Sequence, residues 1–142
     1  MRRGVLWARV RGTRPDRRGA AAVEFALILP ILMVLVFGII NYGDMLSVRQ
    51  SVSQAASEGA RAAAVTPGAD AAKETAALSA VNSALDAQGQ SCASGGCTVT
   101  FEECDGARCA RVKVLIDYDA LIPGFGLVLP DQLTYTAVAR VS

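Results

Sequence analysis

Four cysteines are the residues of this sequence whose spacing most directly suggests chemistry. They form a C-x4-C-x6-C-x4-C set of Cys92, Cys97, Cys104 and Cys109. Four cysteines allow three disulfide connectivities, and the spacing alone does not choose among them. A four-cysteine zinc site is the competing interpretation, but the spacings exceed the usual C-x2-C knuckle. Disulfides are typical of exported proteins, so the set predicts an oxidising compartment.

The other reactive groups do not form a recognisable catalytic pattern. Histidine, the commonest general base and metal ligand, does not occur in the sequence. The nucleophile-elbow, phosphate-loop and Rossmann patterns are also missing. Five carboxylates in the last third of the chain could do acid–base work, but such residues more often form a solvated face or protect the edge of a sheet. These are Glu102, Glu103, Asp105, Asp117 and Asp119. We therefore expect no enzyme activity, catalytic residue, metal or cofactor.

Glu24 is the single ionisable residue of an otherwise apolar run, Ala20 to Ile40. As a helix at ~1.5 Å per residue, this run would cover ~31 Å, enough to cross the hydrocarbon core. Its Val, Leu, Ile and Phe residues favour insertion by on the order of 6 kcal/mol, against roughly 2.5–3.5 kcal/mol for a charge at the bilayer centre. The run predicts one transmembrane helix, in which Pro30 is tolerated.

Charge is distributed unevenly along the chain. Seven of the fourteen basic residues lie in the first eighteen positions, whereas the chain from Asn41 onward carries seven basic and eleven acidic residues. A basic tip before an apolar run is either a nucleic-acid arm or the cytoplasmic flank of a membrane segment, and the run favours the flank. We expect no nucleic-acid partner, a basic cytoplasmic leader over 1–19, a membrane helix over 20–40 and an extracytoplasmic domain over 41–142.

An export signal is the alternative interpretation of this N-terminus. The basic start and apolar core fit a signal peptide, and Arg17-Arg18 would fit twin-arginine export. However, the run is long for a signal peptide, and no A-x-A-like site follows at Phe37 to Asp44. Cleavage there would release a secreted, disulfide-bonded module.

Beyond Ile40 the pattern predicts an α+β body. The first helix continues with a narrow apolar stripe, which packs on the chain's own sheet or on partner helices, and we favour the sheet. The stripe comprises Met45, Val48, Val52, Ala55 and Ala62. Thr66-Pro67-Gly68 ends this helix. Asp70 is then expected to N-cap a second helix over Ala71 to Ala87, with Gly89 at its C′ position.

The last third of the chain predicts a small antiparallel sheet. Thr98–Glu102 and Ala110–Tyr118 alternate in polarity around a four-residue loop, 105–108, and so form a hairpin. Cys104 and Cys109 should then face each other across the hairpin, leaving Cys92 and Cys97 to close a small loop. A third strand is expected over Leu133–Val141. The apolar segment 121–130 is either a packed loop or an exposed docking patch, and we favour the packed loop.

The junction from Arg17 to Phe25 resembles the processing site of type IV prepilins of the tight-adherence (Flp) class. A basic stretch ends in Gly19, and Glu24 follows five residues later. The wider pattern resembles the TadE-like family over about 19–65: it comprises Gly19–Leu27, Pro30, Phe37–Ile40, Gly43 and Ala55–Arg61. Ser57 departs from the arginine that is frequent in the family. Phe25, where major Flp pilins have tyrosine, favours a pseudopilin over the main fibre subunit.

The resemblance implies that an inner-membrane prepilin peptidase cuts between Gly19 and Ala20. Glu24 would become the fifth mature residue and could pair with the new α-amine of a neighbouring subunit, although a glutamate here can also snorkel unpaired. The implied function is that of a pseudopilin in Flp pilus assembly, with other pilin-like subunits and the assembly machinery as partners. The alternative is an uncleaved single-pass envelope protein that binds a partner through its extracytoplasmic domain.

Overall fold

The computed structural model describes residues 17–142, with side chains from Gly19 onward, as two helices and one three-stranded sheet. The elements are α1 (Arg17–Val65), α2 (Asp70–Asp86), β1 (Thr98–Cys104), β2 (Ala107–Asp117) and β3 (Gln132–Arg140). The strands pair antiparallel in the order β1-β2-β3. This confirms the predicted α+β class, with a long first helix, a second helix and a small antiparallel sheet.

Helix α1 changes character along its length. It runs without interruption through Pro30. Its most apolar stretch of 18 residues has a mean hydropathy of 2.8, and none of that stretch is buried. The compact body comprises Phe37–Ser142, so more than half of the same helix, from Phe37 to Val65, belongs to the body. There it is apolar on one side only, as expected for a helix packed on a core.

The core lies between the helices and one face of the sheet. Alternate residues of β2 are buried, as expected for an antiparallel sheet with one covered face. The buried apolar core consists of Met45, Val52, Ala55, Ala56, Ala60 and Ala63 from α1, Ala77, Val81 and Leu85 from α2, Ala110, Val112, Val114 and Ile116 from β2, and Tyr118, Leu133 and Val141 from the rest of the body. The stripe of α1 therefore packs within the chain, as predicted, although Ala63 is buried where Ala62 was expected.

Gly59 is the point of closest approach between α1 and its neighbours. A Cβ added to Gly59 would lie 2.6 Å from Val81 Cγ2, 3.1 Å from Val112 Cγ1 and 3.2 Å from the carbonyl oxygen of Ala77. Both valines are stiff side chains on packed elements, so neither can move away easily. Only glycine lets α1 come this near to α2 and β2 at once.

Helix α2 begins one residue earlier than predicted, and Asp70 is not its N-cap. The cap position is Ala69, with no side-chain cap hydrogen bond, and the Asp70 carboxylate instead pairs with Arg108 of β2. The C-terminal prediction is confirmed. Gly89 has a positive φ of 68°, and the Gln90 N–H donates to the Leu85 carbonyl at 3.0 Å, which is the Schellman arrangement.

The hairpin loop is shorter than predicted. Its turn contains Asp105 and Gly106 alone, with φ of 48° and 73°, the left-handed pair that a type I′ turn requires. Cys104 therefore stands opposite Ala107, and Cys109 stands opposite Glu102. The two cysteines pair across the hairpin as predicted, although the tighter turn makes them diagonal neighbours on one face of the sheet and not direct opposites.

Polar links close the body around its core. The buried Lys73 ammonium donates to the backbone carbonyl of Ser142. On the solvated face of the sheet, Arg111 pairs with Glu102. The hydrogen bond and negative charge of Glu102 raise the pKa of the Arg111 guanidinium. One of the carboxylates near the hairpin therefore has a structural partner.

The close approach at Gly59 predicts a large effect of one methyl group. Gly59→Ala should lower the free energy of unfolding by about 1–3 kcal/mol, because overpacking outweighs the ~1 kcal/mol gain in helix propensity. The matched control is Gly43→Ala, where an added Cβ meets nothing within 4 Å. That variant should be neutral or stabilising. Urea unfolding in mild detergent, followed by tyrosine near-ultraviolet circular dichroism, measures both. Equal stabilisation by the two substitutions would contradict the packing described.

Candidate functional site

The start of α1 holds the residues that the sequence associates with processing. Gly19 and Ala20 lie in its first turns, and both are exposed. Glu24 lies four residues after Ala20, about 6 Å further along the axis, and is also exposed on the helix surface. The structure therefore leaves all three accessible to a second protein. The basic residues Arg2 to Arg14 of the expected leader lie outside the described residues.

The surface around Glu24 is apolar on all sides. Most large apolar side chains from Val23 to Ile40 are exposed, including Phe25, Leu27 and Ile31. A helix that is apolar all round is stable only when lipid or other protein covers it. Among residues 17–142, α1 is the one helix long and apolar enough to cross a membrane.

Asn41 is the first buried polar residue after the apolar run, and it joins α1 to the loop between β2 and β3. Its side-chain oxygen accepts a hydrogen bond of 3.0 Å from the Ile122 N–H, and its amide nitrogen donates to the Phe37 carbonyl at 3.1 Å. The side chain is fully buried. Since an unpaired buried group is costly, the amide oxygen fixes the loop to the helix, while the amide nitrogen is satisfied within α1.

A second contact, between Tyr118 and Asp44, lies beside Asn41. The Tyr118 hydroxyl donates to Asp44 Oδ2 at 3.0 Å and lies 3.5 Å from the Asn41 carbonyl oxygen. Burial, followed by the hydrogen bond and charge of Asp44, raises the pKa of Tyr118 to about 12. The phenol is therefore held in its neutral form against the carboxylate. Asn41 and Tyr118 together form what we call the latch.

The apolar segment 121–130 is not the packed loop that we expected. Leu121, Leu127 and Val128 are exposed, while Leu129 packs against the core and Ile122 and Phe125 are half-buried. Short backbone turns from Ile122 to Leu129 satisfy its amides locally. Prolines and glycines hold the segment in these turns, so several of its apolar side chains point outward. We refer to 121–130 as the apolar loop.

The cysteines lie at disulfide distance in two local pairs. Cys92 and Cys97 have Cα atoms 5.7 Å apart, and Cys104 and Cys109 have Cα atoms 5.9 Å apart. The first pair closes a loop that is attached to β2, because the Ala93 N–H donates to the Leu115 carbonyl at 3.0 Å. Among the described residues, no three His, Cys, Asp or Glu side chains are grouped as metal ligands.

These features indicate a class: a single-pass membrane protein whose apolar N-terminal helix continues into an α+β body. Residues 19–61 match the model of the family described as TadE-like protein. The match confirms the resemblance proposed from the sequence. No curated protein and no solved structure matches the chain.

The matched segment contains two different kinds of surface. Its first half, from Gly19, is the exposed apolar helix, and its second half, to Arg61, is the face that packs on the body. In the second half Ala55, Ala56 and Gly59 are buried, whereas Arg61 is exposed and pairs with Glu58 at 2.9 Å. The sequence pattern includes these residues as family features, but it does not show that Gly59 lets α1 pack closely on α2 and β2. The sequence pattern also did not identify Asn41 as a contact to the loop. The one feature that could have indicated this role is its position directly after the apolar run.

Removing the Asn41 side chain should destabilise the body. Asn41→Ala leaves the Ile122 N–H without its partner, so the free energy of unfolding should fall by about 1–3 kcal/mol. Asn82→Ala is the matched control, since Asn82 is exposed on α2 and its loss should cost well under 1 kcal/mol. Urea unfolding in mild detergent compares the two variants, and equal costs would show that the latch does not hold the loop.

Tyr118 predicts a loss of stability at alkaline pH. The native state holds the phenol proton more tightly than the unfolded state, whose tyrosine pKa is about 10. The stabilisation is therefore complete below about pH 10 and disappears as the pH rises through about 12. Between about pH 9 and about pH 11, wild type should lose roughly 1 kcal/mol more stability than Tyr118→Phe. Identical pH profiles for the two proteins would disprove this contribution.

Proposed function

We propose that this protein is a pilin-like (pseudopilin) component of a tight-adherence (Flp) pilus assembly system. The observation that carries the proposal is the match over 19–61, which starts at Gly19 and includes Glu24 on an exposed apolar helix. α1 anchors the chain in the cytoplasmic membrane. The basic leader over 1–19 stays in the cytoplasm, and the body faces the extracytoplasmic side, since basic flanks are retained inside.

Processing by a prepilin peptidase between Gly19 and Ala20 is the first step of this proposal. Both residues are exposed near the start of α1, and helix ends open at little cost in free energy. Gly19 weakens the first turns by about 1 kcal/mol relative to alanine. The peptidase can therefore reach this peptide bond without disturbing the body, which begins at Phe37.

Pairing through Glu24 is the second step. Cleavage creates a positive α-amine on Ala20, one helical turn before Glu24. When helices of neighbouring subunits pack with an axial offset, this amine meets the carboxylate of the next subunit. The pairing removes the cost of an isolated charge within the apolar run. Other pilin-like subunits and the assembly machinery are therefore the proposed partners.

The mass of the mature protein tests the processing step. Intact-protein mass spectrometry of chain purified from its native membrane should show Ala20 as the N-terminus. Met1 or Arg2 at the N-terminus would favour the alternative, an uncleaved single-pass envelope protein that binds a partner through its extracytoplasmic domain. A start beyond Ile40 would favour a secreted module released by a signal peptidase.

Glu24→Gln tests the pairing step. The substitution should remove a charge-assisted contact worth roughly 1.5–3 kcal/mol per subunit, so pilus yield should fall while the amount of membrane-inserted chain is unchanged. Glu24→Asp is the matched control, because it keeps the charge and should retain part of the yield. Surface pilus counts and membrane fractionation give the two readouts. Normal piliation in Glu24→Gln would contradict the pairing.

A further inference from the structure

The apolar loop is unusually exposed for its composition. It contains no charged residue, yet Leu127 is 97% exposed, Val128 is 83% exposed and Leu121 is 61% exposed. Single exposed apolar residues are normal on protein surfaces, but a cluster of them indicates a binding surface. Within the body nothing covers these three side chains.

The latch fixes where the apolar loop lies along α1. The Ile122 N–H binds Asn41, and the Phe125 ring lies 3.5 Å from the position that a Cβ on Gly38 would occupy. Both contacts fall at the end of the apolar run Ala20–Ile40. The next residue with an aromatic ring, Tyr42, is exposed, and tyrosine is enriched where membrane helices leave the lipid. The loop is therefore attached to α1 where the apolar run ends.

Acidic residues flank the apolar loop on both sides. Asp117 and Asp119 precede it, Asp131 follows it, and all three are exposed. Carboxylates are poorly tolerated in hydrocarbon, so they restrict the loop to a shallow depth. They also disfavour anionic headgroups. The combination of apolar tip and acidic flanks fits a zwitterionic lipid surface.

We propose that the apolar loop is a second membrane contact, which inserts Leu127 and Val128 into the lipid surface beside the end of the apolar run. The inference rests on the α1 anchor of the proposed function but not on cleavage or pilus assembly. Lipid is the occupant that we propose, because the loop contacts α1 at residues 38–41, where the apolar run ends. A protein partner would first have to displace that lipid.

Tryptophan fluorescence in vesicles tests this contact with the full-length chain. Trp7 is the only tryptophan, so Trp7→Phe provides a silent background for Leu127→Trp. The protein is reconstituted into phosphatidylcholine vesicles whose acyl chains carry bromine either near the headgroup or near the methyl end. The tryptophan at position 127 should emit at shorter wavelength and lose most intensity with bromine near the headgroup, as expected about 5–10 Å below the surface.

Val138→Trp in the same background is the matched control. Val138 is also an exposed apolar residue, but it lies on the solvated face of β3, so its tryptophan should keep its intensity in both brominated lipids. Partial replacement of phosphatidylcholine by an anionic lipid should reduce the quenching at position 127, because three carboxylates flank the loop.

The remaining outcomes overturn the proposal in distinguishable ways. Emission at position 127 that matches position 138 would show a loop in water. A blue-shifted tryptophan that bromine does not quench would show cover by protein, such as a second copy of this chain. If the chain still floats with the vesicles after alkaline carbonate, either result rejects the loop contact alone. If the chain does not float, the anchor is rejected as well.

Discussion

One continuous helix has to satisfy two surroundings, and the rest of the structure follows from this constraint. Apart from the one hydrogen bond that Pro30 cannot donate, the backbone of α1 satisfies its own hydrogen bonds along the helix, so the same helix is stable in lipid and in a folded body. Only its side chains change. They are apolar on every side up to Ile40 and on one stripe beyond it. The transition falls close to Asn41, four residues inside the body, where a buried amide ties the helix to the loop.

The packed half of α1 depends on small residues. Its buried face consists largely of alanines around Gly59, which contribute little volume of their own. Side chains from α2 and β2, such as Val81 and Val112, fill the space instead, as the close packing of protein interiors requires. The helix can therefore lie close to two elements at once. The segment that matches the TadE-like family, 19–61, contains both most of this face and the apolar part of α1.

The elements that the sequence predicted well are those with long, regular patterns. Helix α1, helix α2 and the three antiparallel strands came from periodicity, and Gly89 came from helix-end chemistry. The errors occurred where two local options compete. Asp70 fits an N-cap but finds Arg108, a residue distant in sequence, and the tight Asp105-Gly106 turn extends both strands beyond their apolar pattern. The roles of Gly59 and Asn41, and the exposure of the apolar loop, depend on tertiary neighbours. A pattern within one segment does not contain that information.

The cysteine pairs have a consequence for how the protein is oxidised. Each pair joins cysteines five positions apart, nearest neighbours in the order of the chain. In the chain-entropy model such short loops contribute on the order of 2 kcal/mol each. Neither bond links distant segments: one closes a loop before β1, and the other joins β1 to β2. The cysteines also pair in the order in which they occur along the chain, the first with the second and the third with the fourth. Any non-native pairing of the four cysteines would therefore close a longer loop than either native pair does.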